Sequence, residues 1–231
     1  MNKTDKIIIQ AKKEGRTALL EPEAKAICIE YDIPVTKFNV AKSENEAAEY
    51  AKALGFPVVL KIVSPEIIHK TDAGGVKVNL KTVEEVKAAY KTILENAKKY
   101  NAKASIVGVL VQEMAPQSTE VIVGSVKDPT FGQTVMFGLG GIFVEMLKDV
   151  TFRVAPLTEQ DALSMITELK AYSLLKGYRN TPAVDINAIV STLMSVSKLV
   201  MAHPEIKELD LNPVIVYEKG AKTVDARIIV E

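Results

Sequence analysis

Residues 56–80 (FPVVLKIVSPEIIHKTDAGGVKVNL) constrain the fold most, because a short polar interruption separates two apolar patterns. The apolar run 57–63 predicts a buried strand, and the alternating run 76–80 predicts a second strand. The polar segment that follows the first run carries His69, and Gly74-Gly75 ends it with a turn that permits positive φ. The sequence therefore predicts a strand, an exposed loop, a glycine turn and a strand.

Lys61 places a cation inside the first apolar run. A strand lysine and the bare backbone N–H groups of Gly74 and Gly75 are suited to polyphosphate recognition, although no G-x-x-x-x-G-K-[ST] motif is present. Taken alone, Lys61 is better explained as a strand-end lysine that extends to solvent. The adjacent glycine turn favours the phosphate interpretation.

The composition argues against several classes of partner. The 231 residues carry 29 basic and 29 acidic side chains, so neither nucleic acid nor a membrane surface is expected. No window approaches the ~20 apolar residues of a membrane span, and the N-terminal residues lack a signal-peptide pattern. The single cysteine, Cys28, lies in an apolar-periodic segment and is expected in the core. Without a disulfide frame, the cytoplasm is the expected compartment.

Helical and strand patterns alternate irregularly along the chain, with hairpin connections between several strands. This mixture favours an α+β or mixed α/β arrangement over a doubly wound parallel sheet. Further strands are predicted at 35–40, 104–114, 119–127, 133–137, 151–155, 208–216 and 222–230. Helices are predicted at 21–31, 43–54, 82–100, 142–147, 158–171 and 185–202.

Two acidic residues at strand ends are candidate ligands for a nucleotide. Glu113 and Met114 end an apolar strand, where a carboxylate can accept amino or ribose hydrogens beside an apolar residue that flanks a ring. A solvated strand end explains Glu113 equally well. Glu120, across the turn at Pro116, is a weaker candidate of the same kind.

The last two strands carry a candidate magnesium site. Asn212 and Asp225 face each other, or nearly so, when counted from Gly220 in the turn. One carboxamide and one carboxylate oxygen suffice for Mg²⁺, which prefers few protein ligands together with water and phosphate oxygens. Asp210 lies on the same side of its strand as Asn212. The alternative is a polar group on a sheet face.

Several other residues have only a weak claim to function. Residues 138–141 (GLGG) could present N–H groups to an anion or form a plain strand-to-helix turn. Arg153 and Arg179 could hold phosphate, although an exposed arginine is the default interpretation. The role of Glu145 stays open.

In this order, Lys61, AGGVKV, Glu113 and the Asn212–Asp225 pair resemble an ATP-grasp nucleotide-binding domain over nearly the whole chain. The chain is most similar to the β subunits of archaeal-type ADP-forming acetyl-CoA synthetases, the NDP-forming acyl-CoA ligases. The segments SPEIIHKTDAGGVKVNL, FGLGGIFVEMLKDVTFRVAPLT and ELDLNPVIV carry this resemblance. Succinyl-CoA synthetase β subunits also begin similarly but lack a histidine in the loop, so His69 discriminates the two families.

The resemblance implies one ATP-grasp domain, 1–231, of two α+β subdomains that enclose the nucleotide. The small subdomain would span 36–112, and the large one 1–35 with 113–231. The family reaction converts acyl-CoA, ADP and phosphate to acid, ATP and CoA. A CoA-binding α subunit would complete an α2β2 heterotetramer and form the acyl phosphate.

The resemblance also implies residue roles. His69 would be a second phosphohistidine on a mobile loop, and Asp210 would orient it near the nucleotide. Asn212 and Asp225 would hold Mg²⁺. Lys61, Gly74, Gly75, Glu113, Met114 and Glu120 would hold ATP or ADP.

Two other functions are compatible with the fold that the resemblance implies. A non-catalytic nucleotide-sensing module, of the kind found beside acyltransferase domains, would be expected to have lost part of the His69, Lys61 and Asn212–Asp225 set. An ATP-grasp carboxylate ligase that works alone would leave His69 unexplained.

Overall fold

A computed structural model describes residues 1–141, 149–177 and 182–231, which form two compact units. The smaller unit comprises Leu20–Pro22 and Thr36–Ala115, and the larger unit comprises Met1–Leu19, Glu23–Val35 and Pro116–Glu231. Each unit has its own sheet and its own hydrophobic core.

The elements mix helices and strands throughout, which confirms an α+β architecture. The helices are α1 Lys3–Lys13, α2 Glu21–Glu30, α3 Glu44–Leu54, α4 Val83–Tyr100, α5 Glu159–Thr167 and α6 Ile186–Ala202, with a 3₁₀ turn at Tyr172–Leu174. The strands are β1 Phe38–Ala41, β2 Val58–Val63, β3 Val76–Leu80, β4 Gly108–Glu113, β5 Thr119–Asp128, β6 Gly132–Leu139, β7 Val150–Val154, β8 Ile206–Val216, β9 Ala221–Thr223 and β10 Ala226–Val230. Within the described ranges, no helix has the length and hydropathy to cross a bilayer.

The smaller unit is a four-stranded antiparallel sheet in the order β1-β4-β2-β3. Every residue of β2 is buried, which explains its continuous apolar sequence. Helix α4 begins after the N-cap Thr82 and buries residues spaced three or four apart, so one face packs on the sheet. Helix α3 buries Ala47, Ala48 and Ala51, whose small side chains permit close packing. This core fixes both strands that flank the His69 segment.

The larger unit is built on an antiparallel sheet in the order β10-β8-β5-β6-β7, with β9 paired to β8. Its core combines residues from the sheet with apolar faces of the helices, including Cys28. The Asp185 carboxylate caps α6 by accepting the Ala188 N–H at 3.0 Å and also accepts the Gly220 N–H at 2.8 Å. These two bonds, the Gly220 bond first, lower the pKa of Asp185. One carboxylate thus fixes the turn between β8 and β9 to the start of a helix.

Several predicted elements differ from the structure in their limits, including the strand predicted at 35–40, which is Phe38–Ala41. The strand predicted at 104–114 begins only at Gly108, and the helix predicted at 158–171 ends at Thr167. The strand predicted at 222–230 divides into β9 and β10 where β8 carries Pro213, which has no N–H for the ladder. The helix predicted at 142–147 lies outside the described residues.

Candidate functional site

The His69 segment, residues 64–75, forms a compact loop between β2 and β3. Ile67 and Ala73 are buried and anchor it, whereas the His69 side chain is exposed. The Ala73 N–H donates to the His69 carbonyl at 3.2 Å, and the Gly75 N–H donates to the Lys70 carbonyl at 2.8 Å. The imidazole is therefore presented to solvent by a hydrogen-bonded turn.

The turn at Gly74 and Gly75 is closed by hydrogen bonds within the His69 segment. The Gly74 N–H donates to the Thr71 carbonyl at 2.9 Å, and the Gly75 N–H is bound to Lys70. In this conformation both N–H groups are bonded within the loop, and their role as phosphate ligands stays a prediction. Glycine is required for packing: Gly74 has φ +61°, and a Cβ at Gly75 would lie 2.5 Å from Ile62 Cγ2.

The Lys61 ammonium is held by a carboxylate that the sequence analysis did not select. Its Nζ lies 2.7 Å from Glu21 Oε1, and both side chains are buried. The second oxygen, Glu21 Oε2, lies 2.9 Å from Lys70 Nζ. One buried glutamate thus contacts a lysine of β2 and the lysine next to His69. Lys61 is not a strand-end lysine in solvent.

Glu113 lies at the end of β4, where it is attached to the residue before β1. Its Oε1 accepts the Lys37 N–H at 2.8 Å, and its own N–H donates to the Lys37 carbonyl at 3.0 Å. Met114 follows, and its N–H donates to the Pro57 carbonyl at 3.2 Å. Both side chains are half-buried. The structure therefore holds a carboxylate and a thioether side by side at one strand end.

Glu120 belongs to the larger unit and has an exposed side chain. Its carbonyl accepts the Gly140 N–H at 2.7 Å, and a Cβ at Gly140 would lie 2.8 Å from the Glu120 Cβ. Within residues 138–141, the close approach of the Gly140 backbone to Glu120 is sufficient to explain the glycine at position 140.

The acidic group of the larger unit lies on β8 and next to β10. Asp210 is opposite Arg227 on β10 and opposite Gly124 on β5. Burial raises the pKa of Asp210 against the opposing effect of Arg227, and the carboxylates of Asp225 and Glu208 raise it further. Excess negative charge in a partly buried place favours binding of a cation.

Asn212 lies opposite Asp225, and its N–H donates to the Asp225 carbonyl at 3.2 Å. The Asn212 side chain is exposed and that of Asp225 is half-buried. In the described part of the chain, no cluster of three His, Cys, Asp or Glu side chains could hold a metal by itself. A carboxamide and carboxylates near each other fit Mg²⁺, which completes its shell with water and phosphate oxygens.

The roles of Arg153, Arg179 and Glu145 stay open. Arg153 forms an ion pair with Glu168, and both side chains are partly exposed. Arg179 and Glu145 lie outside the described residues. Glu21 was missed because it lies 40 residues before Lys61. The one available signal was an acidic residue directly before a helix-starting Pro22.

Comparison with known proteins places these residues in a family context. Residues 10–230 match the ATP-grasp domain model. The chain is 53% identical over 227 residues to "Acetate--CoA ligase [ADP-forming] I subunit beta" of Pyrococcus furiosus, which covers 98% of this chain and 97% of that protein.

Two solved structures of a dinucleotide-forming acetyl-coenzyme A synthetase 1 from Ca. Korarchaeum cryptofilum are also similar. The first is 54% identical with a TM-score of 0.92 and contains coenzyme A, acetyl-coenzyme A and a phosphorylated phosphohistidine segment in the site I orientation. The second is 52% identical with a TM-score of 0.88 and contains coenzyme A and Mg-AMPPCP, with the phosphohistidine segment pointing towards the nucleotide binding site. Each match covers 99% of this chain and 100% of the matched chain.

Proposed function

The chain belongs to the ATP-grasp domain family and, within it, to the β subunits of ADP-forming acetate–CoA ligases, and from this premise we propose that it forms ATP from ADP in such a ligase. The observation that carries the proposal is the exposed His69 on a loop of the smaller unit, in a chain whose relatives have a phosphohistidine segment.

His69 is the proposed phosphate carrier. One imidazole nitrogen attacks the phosphorus of a phosphoryl donor formed at the partner subunit; the N–P bond forms, the donor's P–O or P–N bond breaks, and the imidazole proton is released. In the second step a β-phosphate oxygen of ADP attacks the same phosphorus. The N–P bond breaks, its electron pair returns to the imidazole, and the nitrogen regains a proton as ATP forms. The covalent carrier divides one transfer into two.

The proposed nucleotide ligands come from both units. Lys61, Glu113 and Met114 belong to the smaller unit, while Glu120 belongs to the larger. Gly74 and Gly75 also stay proposed nucleotide ligands, and they shape the His69 loop as well. The proposed subdomains of 36–112 and of 1–35 with 113–231 follow the family resemblance.

Asn212 and Asp225 are the proposed magnesium ligands. When bound, Mg²⁺ supplies positive charge to the phosphate oxygens of the nucleotide. As the family resemblance implies, Asp210 would accept an imidazole N–H and so orient His69 for the second transfer. Its raised pKa reflects the burial and negative charge that a nearby cation relieves.

The proposed partner is a CoA-binding α subunit, with which the chain forms an α2β2 heterotetramer. The names of the relatives as β subunits support the existence of a partner. The cytoplasm is the proposed compartment, as expected for a chain with one cysteine and a buried thiol.

The decisive experiment combines the purified chain with its CoA-binding partner, acetyl-CoA, ADP, phosphate and Mg²⁺. ATP formation and a phosphoryl group on His69, located by mass spectrometry under alkaline conditions, are the expected results. Binding of ADP with no ATP formation would overturn the proposal and favour the nucleotide-sensing module. ATP-dependent ligation by the isolated chain would favour the ligase that works alone.

A further inference from the structure

We propose that Glu21 is a positioning residue that latches the His69 loop through Lys70. The purpose of the latch rests on the proposed function. The contacts that define the latch lie within the smaller unit and do not depend on that function. The latch is defined as the ion pair Glu21–Lys70, and the anchor as the ion pair Glu21–Lys61.

The side chains of Lys61, Glu21 and Lys70 form a row of charges that begins on strand β2 and ends on the His69 segment. Lys61 lies within the fully buried strand β2, and its Nζ is 2.7 Å from Glu21 Oε1. Lys70 lies on the loop, and its Nζ is 2.9 Å from Glu21 Oε2. Glu21 therefore connects a buried strand to the His69 segment. The same segment is also attached to its unit by hydrogen bonds, because Asn96 Nδ2 donates to the Gly74 carbonyl and the Ser105 N–H donates to Glu66 Oε2, each at 3.0 Å.

The position of Lys70 makes the latch act on His69. The two residues are adjacent, so their Cα atoms are only ~3.8 Å apart. The Lys70 carbonyl also accepts the Gly75 N–H at 2.8 Å, which attaches the same residue to the start of β3. While the Lys70 ammonium stays on Glu21, the length of the lysine side chain limits how far the backbone next to His69 can move.

The anchor makes the latch reversible. A buried carboxylate that loses its only cation would be left as an uncompensated charge, which is strongly unfavourable. Here Glu21 keeps Lys61 when Lys70 departs. Lys70 is the more exposed of the two lysines, with 20% of its side chain accessible against 7% for Lys61, and it can regain hydration outside. Two lysines on one glutamate thus permit opening, whereas a single pair would resist it.

The first test measures amide hydrogen exchange of residues 71–75 in the isolated, unphosphorylated chain, without nucleotide. Lys70→Ala is expected to speed exchange on the order of tenfold, because the loop opens more often. Lys70→Arg is expected to restore wild-type exchange, since it keeps the charge. Lys91→Ala is the matched control, because Lys91 pairs with Glu44 in the same unit but is exposed. Equal exchange in wild type and Lys70→Ala would overturn the latch.

The second test measures the rate of His69 phosphorylation by Mg-ATP in a rapid-quench experiment. Lys70→Ala is expected to change the maximal rate at least ~3-fold with the KM for ATP unchanged, and Lys70→Arg is expected to reverse that change. Phosphorylation at the wild-type rate in Lys70→Ala would overturn the role of the latch in catalysis.

The two tests separate the latch from the proposed function. A wild-type chain that is never phosphorylated would refute the proposed function, and hydrogen exchange would still decide whether Glu21 and Lys70 restrain the loop. A wild-type chain that is phosphorylated, with unchanged exchange and rate in Lys70→Ala, would refute the latch alone. Glu21→Gln is not used, because it would also leave the buried Lys61 without a carboxylate.

Discussion

The charged residues of the two units differ in arrangement. In the smaller unit the buried Glu21 carboxylate lies within 3 Å of the ammonium groups of Lys61 and Lys70. In the larger unit burial and the carboxylates of Asp225 and Glu208 raise the pKa of Asp210, and Arg227 lowers it. The first group joins a carboxylate to cations at short distance, whereas the second brings carboxylates near one another.

This difference indicates different kinds of work. A carboxylate that contacts two lysines keeps one cation when the other moves away. Carboxylates that raise the pKa of a neighbouring carboxyl favour a cation close to them. These arrangements fit the moving segment proposed for the smaller unit and the magnesium site proposed for the larger unit.

Replacement of His69 is expected to have the largest effect on activity. His69→Ala removes the imidazole that carries the phosphoryl group in the proposed function. In the complex with the CoA-binding partner, ATP formation is expected to fall by at least ~10³-fold. ADP binding, measured by calorimetry, is expected to be unchanged.

Thr71→Ala is the matched control for His69→Ala, because Thr71 is an exposed neighbour whose carbonyl bond to Gly74 survives the substitution. Turnover near the wild-type value in His69→Ala would show that phosphate reaches ADP without this residue.

The next largest effect is expected at the metal ligands of the larger unit. Asp225→Ala is expected to lower kcat/KM for Mg-ADP by about 10²-fold, since the bound metal contributes several kcal/mol to such transfers. A magnesium titration of activity is expected to shift to higher concentration. Glu218→Ala serves as the control, because Glu218 is an exposed carboxylate in the turn between β8 and β9. An unchanged magnesium titration in Asp225→Ala would remove the proposed metal site.

A substitution at the glycine turn is expected to lower the stability of the smaller unit. Gly75→Ala is expected to destabilise the smaller unit by about 1–3 kcal/mol, because its Cβ meets Ile62 and the Lys70 carbonyl. Gly15→Ala, at φ +71° with open space around the new Cβ, is expected to cost only about 1 kcal/mol from backbone strain. Denaturant unfolding followed by circular dichroism measures both. A smaller cost for Gly75→Ala than for Gly15→Ala would contradict the packing explanation.

The smallest effect is expected at Asp210, where a substitution is expected to raise the stability of the protein and not to lower it. Because the pKa of Asp210 is raised above its usual 3.8 in the folded state, folded protein binds more protons than unfolded protein in the window between these two pKa values. The free energy of unfolding therefore falls as pH rises through that window, and the penalty is complete above it.

Asp210→Asn removes this penalty, so Tm at neutral pH is expected to rise by about 2 °C, a small effect because the carboxylate is partly solvated. The gain is expected to vanish as the pH falls towards 3.8. Differential scanning fluorimetry across pH measures it, with Glu218→Gln as the control. A lower Tm for Asp210→Asn at neutral pH would contradict the assigned cause.

Local patterns were sufficient for the framework and insufficient for the contacts. Thr82 and Asp185 cap α4 and α6 as the sequence indicated, because an N-cap and its helix are adjacent in the chain. The strands around His69 were also predicted, since burial on both faces of β2 gives an uninterrupted apolar run.

The contacts that the sequence did not predict are long-range or depend on backbone direction. The pairing of Glu21 with Lys61 joins residues 40 positions apart, which no periodicity encodes. Gly74 and Gly75 have the flexibility of a phosphate-binding turn, but hydrogen bonds to Lys70 and Thr71 use their N–H groups. The two glycines in the sequence indicate that a turn can form, whereas only the folded structure shows where the N–H groups of the turn point.

The burial of Cys28 gives the larger unit a built-in kinetic reporter. This is the only thiol in the sequence, and burial raises its pKa to about 12. At neutral pH only about one molecule in 10⁵ carries the thiolate that alkylating reagents require, so labelling must await opening of the core. The rate at which one mass increment appears therefore times the opening of the Cys28 core, and a variant that loosens only the His69 loop is expected to leave that rate unchanged.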